Sequence, residues 1–123
     1  MHLLFVCVGN TCRSQLAEAI ARHLGFEASS AGTHPGAAVA GHTLAVLEDR
    51  GVDTSGLRPK SIDEVDVEAA DRIFSMGCGV ACPNLPLDDD WGLDDPVGQP
   101  RDVYEATADE ITRRLRTLLD AQA

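Results

Sequence analysis

The chain reads as an α/β protein: a three-layer sandwich built on a four-stranded parallel sheet with helices on both faces. Short apolar runs of strand length alternate with longer segments whose apolar residues recur every three or four positions. Alternation of that kind is most economically built from parallel strands joined by right-handed helical crossovers. The length, 123 residues with 44% hydrophobic content, suits one domain spanning 1–123, enough for one core and too little for two.

The elements follow in order. Leu3 to Val6 is the first strand, ending abruptly at Cys7, and a helical pattern begins near Arg13, so a tight loop lies between them. Leu16, Ala17, Ile20, Ala21 and Leu24 form one stripe of a helix that Gly25 ends. Phe26 to Ala31 is a second strand, closed by the turn-rich stretch Gly32-Thr-His-Pro-Gly36. Ala40, Leu44 and Leu47 mark a second helix stopped by Gly51, and Lys60 to Val65 opens a short helical turn after a loop.

Arg72 to Met76 is the third strand, and Asn84 to Leu87 is expected as a fourth, weakened by its prolines. Val103, Ile111, Leu115, Leu118 and Leu119 stripe a long C-terminal helix. On its solvated face Asp109 is spaced to pair with Arg113, and Glu110 with Arg114. Open parallel sheets carry their sites at the carboxyl ends of the strands. The loops after Val6 and Met76 both emerge there, which puts Cys7 and Cys78 on the same edge.

Composition narrows the function. A net charge of −10 disfavours nucleic acid and anionic membranes as partners. No apolar run is long enough to span a bilayer, and no basic region precedes the first apolar stretch, so neither a membrane helix nor a signal peptide is expected. The expected location is cytoplasmic. In that reducing compartment the four cysteines, Cys7, Cys12, Cys78 and Cys82, point to catalysis or metal binding and not to a disulfide framework.

The loop is built for an oxyanion. Backbone N–H groups of Val8, Gly9, Asn10, Thr11, Cys12, Arg13 and Ser14 can curl into a nest at a helix N-terminus, where unpaired donors and the helix dipole favour negative charge. Arg13 adds a planar fork of donors. The same field acts on Cys7: a free thiol titrates near about 8.5, and such surroundings bring it to roughly 3.5–7.5, making Cys7 the candidate nucleophile. Gly9 leaves room for the anion, Asn10 tolerates left-handed backbone, and the Ser14 hydroxyl can hydrogen-bond the thiolate.

Displacing oxygen from an oxyanion also calls for a proton donor, and a carboxyl group beside the loop has its pKa pushed up, which suits that task. Asp88, Asp89, Asp90, Asp94 and Asp95 are all candidates on residue type alone. Cys78 and Cys82 are four apart. On a regular helix their Cβ atoms would lie about 5–6 Å apart, whereas a disulfide needs roughly 3.5–4.5 Å, so bridging them requires the segment to unwind. Gly77, Gly79 and Pro83 favour that. A zinc site needs four clustered ligands, and no Cys-His pair accompanies these two cysteines.

Cys7-Val-Gly-Asn-Thr-Cys-Arg-Ser14 resembles the phosphate-binding loop of the low-molecular-weight protein tyrosine phosphatase superfamily. Cys12 to Glu18 is more similar to the thiol-coupled arsenate reductases within it, because the phosphatases typically carry proline where this chain has Gln15. Ser30-Ala-Gly32 also recurs there. Met76-Gly-Cys-Gly-Val-Ala-Cys-Pro83 looks like the reductases' redox-cysteine segment.

The resemblance implies reduction of arsenate to arsenite. Cys78 would attack the sulfur of Cys7, Cys82 would then attack Cys78, and a thioredoxin-like or other dithiol reductant would reset the pair. It selects Asp95, immediately before a proline, as the acid, and makes Cys12 structural or protective. The alternative it carries is a phosphatase acting on phosphotyrosine or small phosphate esters through Cys7, Arg13 and Asp95. No cofactor is implied. Some reductases of this type bind potassium through residues similar to Asn10, Glu18 and Ser30. Arg58 and Lys60 bring positive charge to that place here, so no metal is expected.

Overall fold

The computed structural model describes residues 1–77 and 87–122. Its elements are β1 (His2–Cys7), α1 (Arg13–His23), β2 (Glu27–Gly32), α2 (Gly41–Asp49), two 3-10 turns (Ile62–Glu64 and Val67–Ala69), β3 (Arg72–Ser75), β4 (Asp89–Asp90) and α3 (Arg101–Gln122). The four strands form one parallel sheet in the order β2-β1-β3-β4.

β1 is central and buried on both faces from Leu3 to Cys7, which is why it reads as a continuous apolar run. Leu3, Phe5 and Cys7 face the main core, where Leu16 and Ile20 of α1, Val46 and Leu47 of α2, and Tyr104, Ile111 and Leu115 of α3 meet. Leu4, Val6 and Ile73 face the other way, onto Ile62, Val65, Val67, Ala70 and Leu87. The three α-helices thus cover one face, and the two 3-10 turns help to cover the other. Phe5, Phe74 and Trp91 form an aromatic cluster with centroids 4.9 to 6.0 Å apart.

Both helix stops expected at glycine are built alike. Gly25 (φ +100) and Gly51 (φ +71) take the left-handed conformation. Phe26 N–H then reaches Ala21 O, and Val52 N–H reaches Leu47 O, which satisfies carbonyls that the helix ends leave free.

Two expectations are corrected. The fourth strand is Asp89–Asp90, beyond the apolar stretch; Leu87 precedes it, and 84–86 lie outside the described residues. Register chose it: Phe74 and Ser75 of β3 align with Asp89 and Asp90, and a polar, exposed edge strand is stable because only its inner side pairs. On α3, Arg113 pairs with Glu110 and not with Asp109, while Arg114 pairs with Glu110 as expected. Asp109 is taken by Arg50 at the end of α2, 2.9 Å away, which also contacts Glu105.

Candidate active site

β1 delivers Cys7 to the carboxyl edge of the sheet, and α1 begins at Arg13, so Val8 to Cys12 make the turn between them. β2 and β3 lie on opposite sides of β1. Its loop therefore opens where successive crossovers leave in opposite directions. Asn10, at φ +54, is the single left-handed non-glycine among the described residues. Cys12 is the N-cap of α1, and its side chain caps nothing. A serine or aspartate there would take up one of the first-turn amides.

Every carbonyl from Cys7 to Cys12 is held from outside the turn. Thr33 N–H donates to Cys7 O (3.1 Å), His34 N–H to Val8 O (2.9 Å), Gly36 N–H to Gly9 O (2.9 Å) and Leu16 N–H to Cys12 O (2.9 Å). Gln15 Nε2 donates to Asn10 O (3.0 Å). Thr11 O receives both Ala40 N–H (3.1 Å) and the Thr43 hydroxyl (3.1 Å). With the carbonyls tied outward, the amides of Gly9 and of Thr11 to Ser14 remain for an anion. The bracing segment must approach closely. A Cβ on Gly32 would lie 2.5 Å from Val8 O, and one on Gly36 would lie 2.8 Å from Thr11 Cγ2.

The buried Cys7 sulfur receives Asn10 N–H at 3.1 Å and lies 2.8 Å from Ser14 Oγ. Hydrogen-bond directions behind it follow from the donors present. Asn10 Nδ2 donates to Ser14 Oγ (2.7 Å) and Ser30 Oγ (2.9 Å), and Ser30 donates its single proton to Glu18 Oε1 (2.7 Å). Ser14, already an acceptor from Asn10, is left with its proton for the sulfur. Two donors therefore converge on Cys7, the arrangement a thiolate requires.

Arg13 is buried, and its Nη1 is committed to Met76 O (2.8 Å) and Leu93 O (2.9 Å), leaving Nε and Nη2 as the edge available to an oxyanion. Gly77 makes this possible. It is left-handed (φ +110), and a Cβ there would meet Leu93 O at 2.9 Å and Arg13 Nη1 at 3.0 Å. Asp95 Oδ2 lies 3.9 Å from Arg13 Nη2, with the carboxylate 56% exposed, while Oδ1 accepts Val97 N–H in a local turn. Of the other aspartates, Asp88 holds Ile73 N–H, Asp89 and Asp90 form β4, and Asp94 is exposed.

The structure thus brings together Cys7, the loop Val8 to Ser14, Arg13 and Asp95 around a cavity of about 190 Å³, with Val97 at its rim. Cys78 and Cys82 lie outside the described residues. Cys12 is buried, with its sulfur 3.6 Å from Tyr104 OH. Burial first, and the contact with Cys12 second, push the Tyr104 phenol up to about 12, so it is neutral at physiological pH.

Sequence reasoning missed the bracing roles of Gly36, Thr43 and Gln15, and the contact of Tyr104 with Cys12. In the sequence Gln15 stands out only as a polar residue where the phosphatases typically carry proline. Its amide in fact reaches Asn10 O, Asn10 Oδ1 and Arg58 O. A resident potassium ion does not fit beside Asn10, Glu18 and Ser30. Lys60 Nζ is already 3.4 Å from Glu18 Oε1, and the Ser30 oxygen already accepts from Asn10 Nδ2 at 2.9 Å.

A buried thiol on the floor of an amide-lined turn, with a guanidinium beside it, has the equipment of a cysteine-dependent oxyanion enzyme. The chain belongs to the low-molecular-weight phosphotyrosine protein phosphatase family, whose model matches residues 2–123, and it is an enzyme of that family. It is 32% identical to a glutaredoxin arsenate reductase of Synechocystis, with 95% of each chain covered. An arsenate reductase in its phosphate-binding state superposes with a TM-score of 0.88 at 31% identity, covering 99% of this chain and 98% of the other. A low-molecular-weight protein tyrosine phosphatase from T. tengcongensis superposes with a TM-score of 0.82 at 31% identity, covering 98% and 99%.

Proposed function

We propose that this chain reduces arsenate to arsenite through a thiol cascade of Cys7, Cys78 and Cys82. Arsenate sits on the loop amides and the free edge of Arg13. The Cys7 thiolate displaces one arsenate oxygen and forms an S–As bond, and Asp95 protonates the departing hydroxyl, which leaves as water. Cys78 attacks the Cys7 sulfur: an S–S bond forms, the S–As bond breaks, and its electron pair stays on arsenic, which departs as arsenite. Cys82 attacks Cys78 and frees the Cys7 thiolate. The Cys78–Cys82 disulfide then takes two electrons from a thioredoxin-like or other dithiol. This chemistry needs no cofactor and suits a reducing compartment such as the cytoplasm.

The observation that carries the reading is the position of Gly77. Its backbone stands against the Arg13 guanidinium, and Cys78 is the next residue in the chain. The described lining of the cavity also contains no aromatic side chain, which suits a bare tetrahedral oxyanion better than an aryl ester. Relatives named arsenate reductases support the same conclusion.

A phosphatase is the second reading, favoured by the self-sufficiency of Cys7, Arg13 and Asp95 for phosphate-ester hydrolysis and by the likeness to a tyrosine phosphatase. The deciding experiment counts arsenite formed per enzyme molecule, with and without thioredoxin. In a reductase, Cys78→Ser forms none. Cys82→Ser completes one turnover and stops with a Cys7–Cys78 disulfide, detectable by mass spectrometry after proteolysis. Repeated turnover by Cys78→Ser excludes the cascade and returns the protein to phosphate esters.

A further inference from the structure

Glu18 is the one buried carboxylate among the described residues, 1% exposed, and the cascade makes no direct use of it. A buried charge without compensation is strongly unfavourable. Two cations face it. Arg22 Nη1, on the next turn of α1 and half exposed, lies 3.0 Å from Oε2. Lys60, the only lysine in the sequence and 15% exposed, places Nζ 3.4 Å from Oε1.

Lys60 also reaches the loop a second way. Its backbone N–H donates to Asn10 Oδ1 (2.8 Å), and Nζ is fixed at its far side by Arg58 O (3.1 Å). One residue therefore grips the Glu18 end and the Asn10 midpoint of the chain of hydrogen bonds that runs from Glu18 through Ser30, Asn10 and Ser14 to the Cys7 sulfur. Two sets of contacts give that chain its direction: Glu18 accepts from Ser30, and Asn10 Oδ1 accepts from Lys60 N–H and Gln15 Nε2. Ser30 gives Glu18 its only proton, so it must accept from Asn10, whose amide is thereby turned to leave the Ser14 proton on the sulfur.

We propose that Lys60 is a positioning residue, a built-in cation that compensates Glu18 and so fixes the polarity of the hydrogen bonds behind Cys7. The inference rests on the reading of Cys7 as the nucleophile of an oxyanion loop. It is tested without turnover, so that failure of arsenate reduction and failure of this proposal are distinguishable.

The readout is the rate at which iodoacetamide alkylates Cys7 at neutral pH, with Cys12 as internal reference, and its protection by inorganic phosphate. Lys60→Met should slow Cys7 about tenfold, the scale of one misdirected buried hydrogen bond. Lys60→Arg should stay near the wild-type rate. In Lys60→Ala, added methylammonium should restore much of the loss by entering the vacated space.

The sharpest arm is the double variant Lys60→Met/Glu18→Gln, which removes the buried carboxylate together with the cation that faces its Oε1. It should react faster than Lys60→Met alone, a coupling that independent packing defects do not produce. If Lys60→Met fails to fold while the double variant folds and reacts, the coupling is supported all the same. A Lys60→Met protein that alkylates Cys7 at the wild-type rate overturns the proposal, and so does a double variant as slow as or slower than the single one.

Discussion

The two sides of the site are built differently. On one side, Cys7 to Cys12 have every carbonyl tied to a donor, Asn10 and Ser14 are fully buried, and glycines at 32 and 36 let the bracing segment press against the turn. On the other, Asp95 is more than half exposed, holds only its own local turn, and lies 3.9 Å from Arg13. The difference follows the chemistry. Donors that receive developing charge act best when fixed beforehand, because no reorganisation is then needed during reaction. An acid has only to reach the leaving oxygen, and exposure leaves it free to exchange protons with solvent.

The largest effect is expected where the two sides meet. Arg13→Ala should lower turnover about a hundred- to a thousandfold and weaken inorganic phosphate binding in parallel, as removal of an oxyanion donor does. Calorimetric titration with phosphate, run beside the turnover assay, checks both; unchanged affinity would remove Arg13 from the binding floor.

Asp95→Asn should separate the two properties. Turnover should fall about a hundredfold or more. Phosphate affinity should hold or improve, since a negative group leaves the mouth. A matching fall in affinity would make the acid segment part of the floor and erase the difference between the two sides.

Gly36→Ala should do the reverse of Asp95→Asn. Its new methyl meets Thr11 Cγ2 at 2.8 Å, so either the Thr11 side chain or the brace must shift beside the Gly36 N–H contact to Gly9 O. A loss of about 1–3 kcal/mol in stability is expected, with weaker phosphate binding. Thermal melts with and without phosphate measure it, and a ligand-induced shift equal to wild type would show that the brace is dispensable.

The smallest effect concerns Tyr104. Its folded pKa is raised to about 12 by burial first and Cys12 second. The unfolded phenol ionises near about 10. The neutral phenol's contribution is thus complete below the unfolded value and is lost as pH rises from about 10 toward 12. Tyr104→Phe should lack that part of the alkaline decline in melting temperature. A decline identical to wild type between those pH values would contradict the assignment.

Much of the site was legible because its chemistry is local. Cys7, Asn10, Arg13 and Ser14 lie within eight residues, and the strand stop, the left-handed asparagine and the helix start are all consequences of neighbouring sequence. The same holds for the helix ends at Gly25 and Gly51, where one residue type decides the backbone. Asp95 was reached through resemblance to a family pattern, since five aspartates offered the same chemistry.

What the tertiary structure alone decided is everything held by donors from distant sequence. The brace comes from Thr33 to Thr43, and Arg13 donates to Met76 O, 63 positions along the chain, with Gly77 pressed against its guanidinium. Asp89–Asp90 became a strand because Phe74 and Ser75 set its register, against its polarity. Asp109 took Arg50 in place of its helical neighbour because packing of α2 on α3 brought a second cation within reach. The resemblance puts Lys60 near Asn10, Glu18 and Ser30, but that its N–H meets Asn10 Oδ1 while its Nζ meets Glu18 is visible only in the assembled fold. Local periodicity and turn chemistry are written residue by residue, whereas which donor satisfies which buried acceptor depends on the whole sheet being assembled.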